Sequence, residues 1–336
     1  CWSEFKQGKR SRLDVSEFER YLEDNIFLLH RDLTNHTYYH GPYHTFHIHD
    51  PKHRVISKAT VRDRLVHHVV FSELYRIFDP TFIYHSYASR IGKGTHLAVQ
   101  NLSYALRAMS RNYTHTTWVL KCDVKKFFNS VNHHTLLQII TNRVTDEKFL
   151  WLVCEIINSF PPVDKQVERE RERELLGNNE QTVGLPIGNV TSQVFANIYL
   201  NELDQFIKQE LKIQHYFRYA DDFIIVYDDP HYLQYLVGVL GEFLYSHLSL
   251  ELHPRKVEVR KLNQGIDFLG YVILPHHTVL RTSTKQRMFR KLTSQEELVA
   301  SEGVDPEKFK QTVQSYLGLL THGDGYELGR VVRNRF

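Results

Sequence analysis

The chain has 336 residues, 42% of them apolar, so it can bury one large core or two moderate ones and fold without staples, and its length favours two or three subdomains. A formal charge of +3 is too mild to establish a nucleic-acid partner by itself. Cys1, Cys122 and Cys154 show no paired spacing, which excludes a disulfide framework and makes a reducing compartment, the cytoplasm, the default.

No apolar stretch approaches the roughly 18 residues of a membrane span, and no charged n-region leads into an apolar h-region. The chain begins with Cys rather than Met, so sequence ahead of it is an open expectation. Residues 1 to 40 place Phe18, Tyr21, Leu22, Phe27 and Leu28 at helical spacing, with Asp14 or Ser16 as expected caps. Tyr43 to Ile48 alternates and runs into Asp50-Pro51, which predicts a short strand and a turn. Between Lys52 and Lys93, eight Lys or Arg face three acids, a local basic zone suited to phosphates. Val61 to Phe78 returns to helical periodicity and stops at Asp79-Pro80, and a further helix is predicted over Thr95 to Met109.

Thr117 to Cys122 is rich in β-formers and predicts a buried strand that ends on Asp123, with a helix from about Asn132. The charged run from Asp164 to Glu174 reads as a solvated arm or insertion loop. Gly184 to Gly188 predicts a turn, and Phe195, Ile198, Leu203 and Phe206 mark one face of a long helix. Two β-rich runs, Tyr216 to Tyr219 and Phe223 to Tyr227, flank Asp221-Asp222 and predict a hairpin. Beyond Gly270 a strand and then basic helices are expected.

A pair of aspartates alone is usually only a turn. Here YADD lies between apolar runs, and LKCDVKKFF upstream supplies a third acid at a strand end. Neighbouring strands lie about 4.8 Å apart, so Asp123, Asp221 and Asp222 can converge on two hard cations about 3.5 to 4 Å apart, the arrangement that neutralises entering and leaving oxygens in phosphoryl transfer.

These segments resemble the motifs of reverse transcriptases. LKCDVKKFFNSV and YADDFIIVY are similar to the two metal-binding motifs, and GLPIGNVTSQVFANIYLNELD to the template- and nucleotide-contacting motif between them. HPRKVEVRKL and IDFLGY resemble the last palm motifs, and RVISKATVRDRLVHHVV and SYASRIGKGTHLAV resemble the fingers, in order from about residue 43 to 275. The resemblance implies an α+β right-hand polymerase. Residues 1–42 would be an N-terminal helical extension and 43–116 helical fingers. The palm, with an antiparallel sheet and a charged insertion at about 163–181, would span 117–277, and a short helical thumb 278–336.

It further implies an RNA-directed DNA polymerase in which Asp123, the Val124 carbonyl, Asp221 and Asp222 hold two Mg²⁺ ions, with Mn²⁺ as a substitute. Arg54, Arg62, Arg64, Phe128, Ile187, Gly188 and Gln193 would contact the dNTP. Lys58, Arg90, Lys93, Ser192 and Tyr219 would contact template RNA and the cDNA primer. Arg54, Lys58, Arg62 and Arg64 are each equally well read as solvated surface charges, and Lys93 between Gly92 and Gly94 is a weak phosphate-loop signal. Lys256 is either a proton donor to leaving pyrophosphate or a structural ion pair. Of Phe127 and Phe128, one packs; the resemblance places an aromatic gate against the ribose 2′-hydroxyl at Phe128.

Within that family, the IGN…TSQ form of Ile187, Gly188, Asn189, Thr191, Ser192 and Gln193 resembles the enzymes of diversity-generating retroelements, encoded by bacteria, archaea or phage. That subtype implies mutagenic copying at template adenines and a small basic oligomeric accessory protein of the accessory variability determinant type. A retron or antiphage-defence enzyme is the rival within the family. A non-catalytic RNA-binding scaffold would be marked by loss of an acid, and all three are present. The 21 histidines invite zinc at His44, His47 and His49 or at His67-His68, but no Cys joins them at ligand spacing, and alternating His reads as a surface face of a strand. Tyr38, Tyr39, Tyr84 and Tyr87 either stack bases or fill cores.

Overall fold

The computed structural model describes residues 1–50, 52–160, 182–301, 303 and 305–336. The charged insertion expected at about 163–181 lies outside the described residues. The chain opens with helices α1 (Trp2–Phe5), α2 (Leu13–Arg20) and α3 (Leu22–Thr34). Asp14 and Ser16 lie within α2 rather than capping it, because Arg12 holds the N-cap position and the Asp14 carboxylate is drawn out to cations of the next segment. A hairpin of β1 (His44–Ile48) and β2 (Arg54–Lys58) follows, β1 being exposed along its whole length.

Helix α4 (Val61–Phe78) has the expected bounds. Thr60 caps it by accepting from the Asp63 N–H at 3.2 Å, and Asp79-Pro80 turns the chain out through a short 3₁₀ turn, since proline cannot continue the ladder. Helix α5 (Thr95–Met109) also matches its predicted span. The central sheet is wholly antiparallel, with β3 (Trp118–Asp123) between β5 (Asp222–Tyr227) and β6 (Glu258–Lys261), and β4 (Tyr216–Tyr219) outside β5. Helices α6 (Phe127–Ser130), α7 (His133–Thr141) and α8 (Glu147–Asn158) intervene between β3 and the next long helix. Asn132 caps α7 by accepting from Thr135 N–H at 3.0 Å.

Helix α9 (Val190–Gln205) departs from the one-faced helix expected of it. It is buried on nearly every side, Asn197, Asn201 and Asp204 included, because α4, α7 and the later helix α10 (Pro230–Leu248) surround it. Its polar residues are therefore core residues with hydrogen-bond duties, a role periodicity cannot distinguish from a solvent face. A small second sheet of β7 (Ile266–Phe268), β8 (Tyr271–Leu274) and β9 (His277–Leu280) precedes α11 (Thr282–Ala300), α12 (Pro306–Leu320) and α13 (Tyr326–Arg335). β9 straddles the expected boundary at 277/278, so the purely helical tail begins at Thr282. That tail has its own small core of Met288, Leu292, Val313, Leu320 and Val332. The large core joins the N-terminal helices, α4, α9 and α10 to one face of the central sheet, while α5 and the small sheet cover the other through Phe217, Ile224 and Val226. Successive side chains along β3 and β5 alternate between the two cores, Leu120, Phe223 and Ile225 on one face and Val119, Ile224 and Val226 on the other.

Candidate active site

The carboxylates meet because of strand register. β3 and β5 are antiparallel, and their last common pair sets Asp123 directly opposite Asp222. β4 pairs Tyr219 with Asp222, so only Ala220 and Asp221 form the connecting turn and Asp222 is already the first residue of β5. Ala220 takes the left-handed conformation, φ 53°, that so tight a turn requires. The Val124 N–H donates to the Asp221 carbonyl at 3.3 Å and ties the turn to the end of β3. Three acids therefore share one end of the sheet, with Asp123 7% exposed.

Crowding is visible in their acidities. Burial, and then the charges of Asp221 and Asp123, push Asp222 up to about 6 against some relief from Lys121. Burial also raises Asp221; its own backbone amide, Lys256 and Arg54 oppose the shift, and the Asp123 charge adds to it. Lys256 donates to both Asp123 oxygens, at 2.7 and 2.8 Å. The turn that carries it is anchored under the same residue, since His253 N–H donates to the Asp123 carbonyl at 2.8 Å. Of the two readings of Lys256, the geometry is that of the ion pair.

No three His, Cys, Asp or Glu side chains among the described residues form a ready metal cluster. The donor set nevertheless fits hard divalent cations. The acids at the sheet end bring carboxylate oxygens together, two of them are made weaker acids by burial and by the neighbouring carboxylate charges, and a lysine ammonium already pairs with the third.

Beside the carboxylates, the segment Ile187–Asn189 is stitched to β2. Ser57 N–H donates to the Ile187 carbonyl at 2.9 Å, Ala59 N–H to Asn189 Oδ1 at 3.2 Å, and Asn189 Nδ2 to the Ser57 carbonyl at 2.7 Å. The Asn189 side chain behaves here like an extra peptide group added to the edge of β2. Asn189 was no candidate from sequence; its signal was an asparagine at a helix N-cap position, where it would be expected to cap α9. Gly188, at φ 117°, is needed for the close approach, because a Cβ there would sit 2.7 Å from Ile56 Cγ2. Ile187 is half-buried and Gly188 exposed, so both border open space. Ser192 is placed otherwise than expected: it is buried and its hydroxyl donates to the Pro186 carbonyl at 2.7 Å, closing the turn instead of facing a template. Gln193, the next residue of α9, is exposed, and Tyr219 is half-buried opposite Asp222.

Phe127 and Phe128 divide the two roles open to them. Phe127 is in the core at 2% exposure, while Phe128 is half-buried and meets it edge-on at 5.3 Å. The Phe128 carbonyl accepts from Leu185 N–H at 2.6 Å, which links this ring to the Gly184–Gly188 turn.

The expected basic clamp is only partly assembled. Arg54 is exposed on β2 and near enough to lower the Asp221 acidity shift. Lys58 and Arg64 both pair with Asp14, and Arg62 donates to Asp32, Asp63 and the Tyr39 carbonyl. The N-terminal helices supply acids that the local charge count did not include. Arg90, 8% exposed, spends its donors on Asp79 and on the carbonyls of Ile83 and Ser86; it locks a loop rather than meeting a template. Lys93 lies 3.4 Å over the Tyr84 ring and donates to the Tyr84 carbonyl.

Tyr38 and Tyr87 fill cores, whereas Tyr39 and Tyr84 are exposed. Among the histidines considered for zinc, His67 is buried against His40 and Thr191. His47 and His49 gather instead with His53 on the exposed hairpin end, His47 Nδ1 lying 2.8 Å from His53 Nε2. All three cysteines are free thiols, and burial pushes Cys122 up to about 12.

The family described as Reverse transcriptase (RNA-dependent DNA polymerase) matches residues 48–273. The group II intron-encoded protein LtrA of Lactococcus lactis subsp. cremoris is 24% identical over 318 residues, covering 75% of this chain and 50% of LtrA. Protein YkfC of Escherichia coli is 24% identical over 253 residues, covering 66% of this chain and 63% of YkfC. The chain thus spans no more than two thirds of the length of either. A solved telomerase from Candida albicans, in complex with a TWJ fragment of telomeric RNA, aligns with a TM-score of 0.48 at 13% identity over 84% of this chain and 56% of that one.

Proposed function

Because the chain belongs to the reverse transcriptase family, we propose that it copies RNA into cDNA by two-cation nucleotidyl transfer at Asp123, Asp221 and Asp222. Its architecture is the α+β right-hand polymerase expected from sequence, and no helix among the described residues is long and apolar enough to cross a membrane. The observation that carries the proposal is the register pair Asp123–Asp222 with Asp221 in the adjoining turn, which sets acids where transferring phosphates need cations. Two divalent ions, Mg²⁺ or Mn²⁺, would supply neutralisation of the entering and leaving oxygens when bound there, held by the three carboxylates with the Val124 carbonyl. Lys256, donating to both Asp123 oxygens, orients that carboxylate until then. Phe128 would exclude a ribose 2′-hydroxyl by volume, and Ile187 with Gly188 would border the nascent base pair. Arg54, exposed on β2 and close enough to act on Asp221, would contact the triphosphate; Lys93, Gln193 and Tyr219 would contact nucleotide or template. The division into a 1–42 extension, fingers, palm and a thumb from about residue 278 is part of the same reading.

For the subtype, the IGN…TSQ segment supports a diversity-generating enzyme with error-prone copying at template adenines and a small basic accessory protein. The intron-encoded relatives favour a second reading, an enzyme acting on intron RNA. Purified protein, a primed RNA containing all four bases, dNTPs and Mg²⁺ test both levels. Extension by the wild type and a loss of a thousandfold or more in Asp221→Asn or Asp123→Asn, with RNA binding kept, is expected, because the lost charge acts mainly in the transition state. Near wild-type extension by either variant refutes the site, and equal low error at every template base refutes the diversity-generating subtype.

A further inference from the structure

Beneath the carboxylate turn lies a charged group that the proposed chemistry does not use. Arg218, in β4, is wholly buried, a placement tolerated only when its donors are engaged. Nε and Nη2 donate to Oδ1 and Oδ2 of the equally buried Asp204 at 2.7 and 2.6 Å, a forked pair. Nη1 turns the other way and donates to Asn197 Oδ1 and to the main-chain carbonyl of Ala220, both at 3.2 Å. The Tyr216 hydroxyl donates to Asp204 at 2.7 Å, and Asn197 Nδ2 to the Ala88 carbonyl at 2.9 Å.

Ala220 directly precedes Asp221 and holds a left-handed conformation that alanine disfavours. A two-residue turn has few internal restraints. From outside the turn, Val124 donates to the Asp221 carbonyl and Arg218 to that of Ala220. Asp204 and Asn197 both lie on α9, whose N-terminus continues from the Ile187–Asn189 segment. One guanidinium therefore joins the turn that bears Asp221 to the helix that begins at the candidate nucleotide pocket.

We propose that Arg218 is a positioning residue for the divalent cations: by holding the Ala220 carbonyl it presents Asp221 beside the Asp123–Asp222 pair, and Asp204 with Asn197 fixes the guanidinium. The inference rests on the two-cation reading above. It is separable from a purely structural role, because a buried ion pair can be exchanged for apolar residues of similar volume with little loss of stability, whereas no apolar side chain can donate to Ala220.

The test compares wild type, the double variant Arg218→Met with Asp204→Leu, and Arg218→Lys, whose single nitrogen keeps the charge of Asp204 paired but gives up the fork. Thermal unfolding, Mn²⁺ binding followed by electron paramagnetic resonance, and RNA-primed extension kinetics are measured on each. The double variant is expected to stay cooperatively folded but to melt below wild type, because the Tyr216 hydroxyl, Asn197 Oδ1 and the Ala220 carbonyl lose their partners, to bind Mn²⁺ at least tenfold more weakly at a temperature where it is fully folded, and to lose a hundredfold or more in kcat with KM for dNTP changed less than about threefold. Arg218→Lys is expected between the two. Wild-type Mn²⁺ affinity and turnover in a folded double variant, or in Arg218→Lys should the double variant fail to fold, overturns the proposal. A wild type that binds Mn²⁺ in an Arg218-dependent way yet extends no primer would sink the polymerase reading and leave the positioning role standing.

Discussion

Replacing Asp222 by Asn should stabilise the cation-free protein at pH 8 while removing its response to Mg²⁺. Burial and the neighbouring acids lift Asp222 from the ordinary 3.8 to about 6. A shift of about 2 units at about 1.4 kcal/mol each makes ionised Asp222 cost the fold about 3 kcal/mol. An acid whose folded pKa exceeds its unfolded value holds its proton more tightly when folded. Its favourable contribution is complete below 3.8 and is lost as the pH rises through about 6, so the whole penalty is present at pH 8. Asn carries no charge at either pH. Thermal unfolding in EDTA at pH 8 should therefore show Asp222→Asn several degrees above wild type, with the gap closing toward pH 5, where wild-type Asp222 is mostly protonated. Millimolar Mg²⁺ should raise the wild-type Tm at pH 8 more than at pH 5, because binding is coupled to loss of the proton, and should raise that of the variant far less. A variant equal to or less stable than wild type at pH 8, with the same pH slope, would refute the claim that this corner of the sheet stores repulsion for a cation to relieve.

Phe128→Ala should lower the dNTP-to-rNTP ratio of kcat/KM about tenfold or more, since exclusion depends on ring volume; an unchanged ratio removes Phe128 as the gate. Ile187→Gln should reduce misincorporation opposite template adenine by about tenfold, equivalent to about 1.4 kcal/mol of regained discrimination, because an amide can hydrogen-bond at the edge of the nascent pair and a branched aliphatic cannot. cDNA sequencing reads this directly, and an unaltered error spectrum would mean that Ile187 only packs. Asn189→Ala should cost about 2–4 kcal/mol in urea unfolding, because it orphans the buried Ala59 N–H and Ser57 carbonyl. A loss below about 0.5 kcal/mol would show that the bonds from Asn189 to β2 are not what joins the Ile187–Asn189 segment to the hairpin.

Local pattern determined the parts of this protein governed by near neighbours. Helices Val61–Phe78 and Thr95–Met109 begin and end where periodicity, Thr60 and Asp79-Pro80 say they must. The strand ending on Asp123 and the hairpin around Ala220-Asp221 follow from apolar runs meeting a polar apex. Convergence of the three acids was legible because a strand fixes direction over its whole length, so acids at the ends of adjacent strands have few places to go. What the tertiary structure decided is who partners whom across long separations. Asp14 and Asp32, more than twenty residues from the nearest of their arginine or lysine partners, occupy Lys58, Arg62 and Arg64 and turn an apparent phosphate clamp into an interface with the N-terminal helices. Whether Phe127 or Phe128 faces open space depends on a core assembled from distant helices. Burial on all sides of α9 gives Asn197 and Asp204 partners in β4 and the carboxylate turn, although in sequence they read as its polar face. A charge or an amide carries no local mark of its eventual partner. Its energy depends on which groups the completed fold brings within about 3 Å and how much water it removes around them.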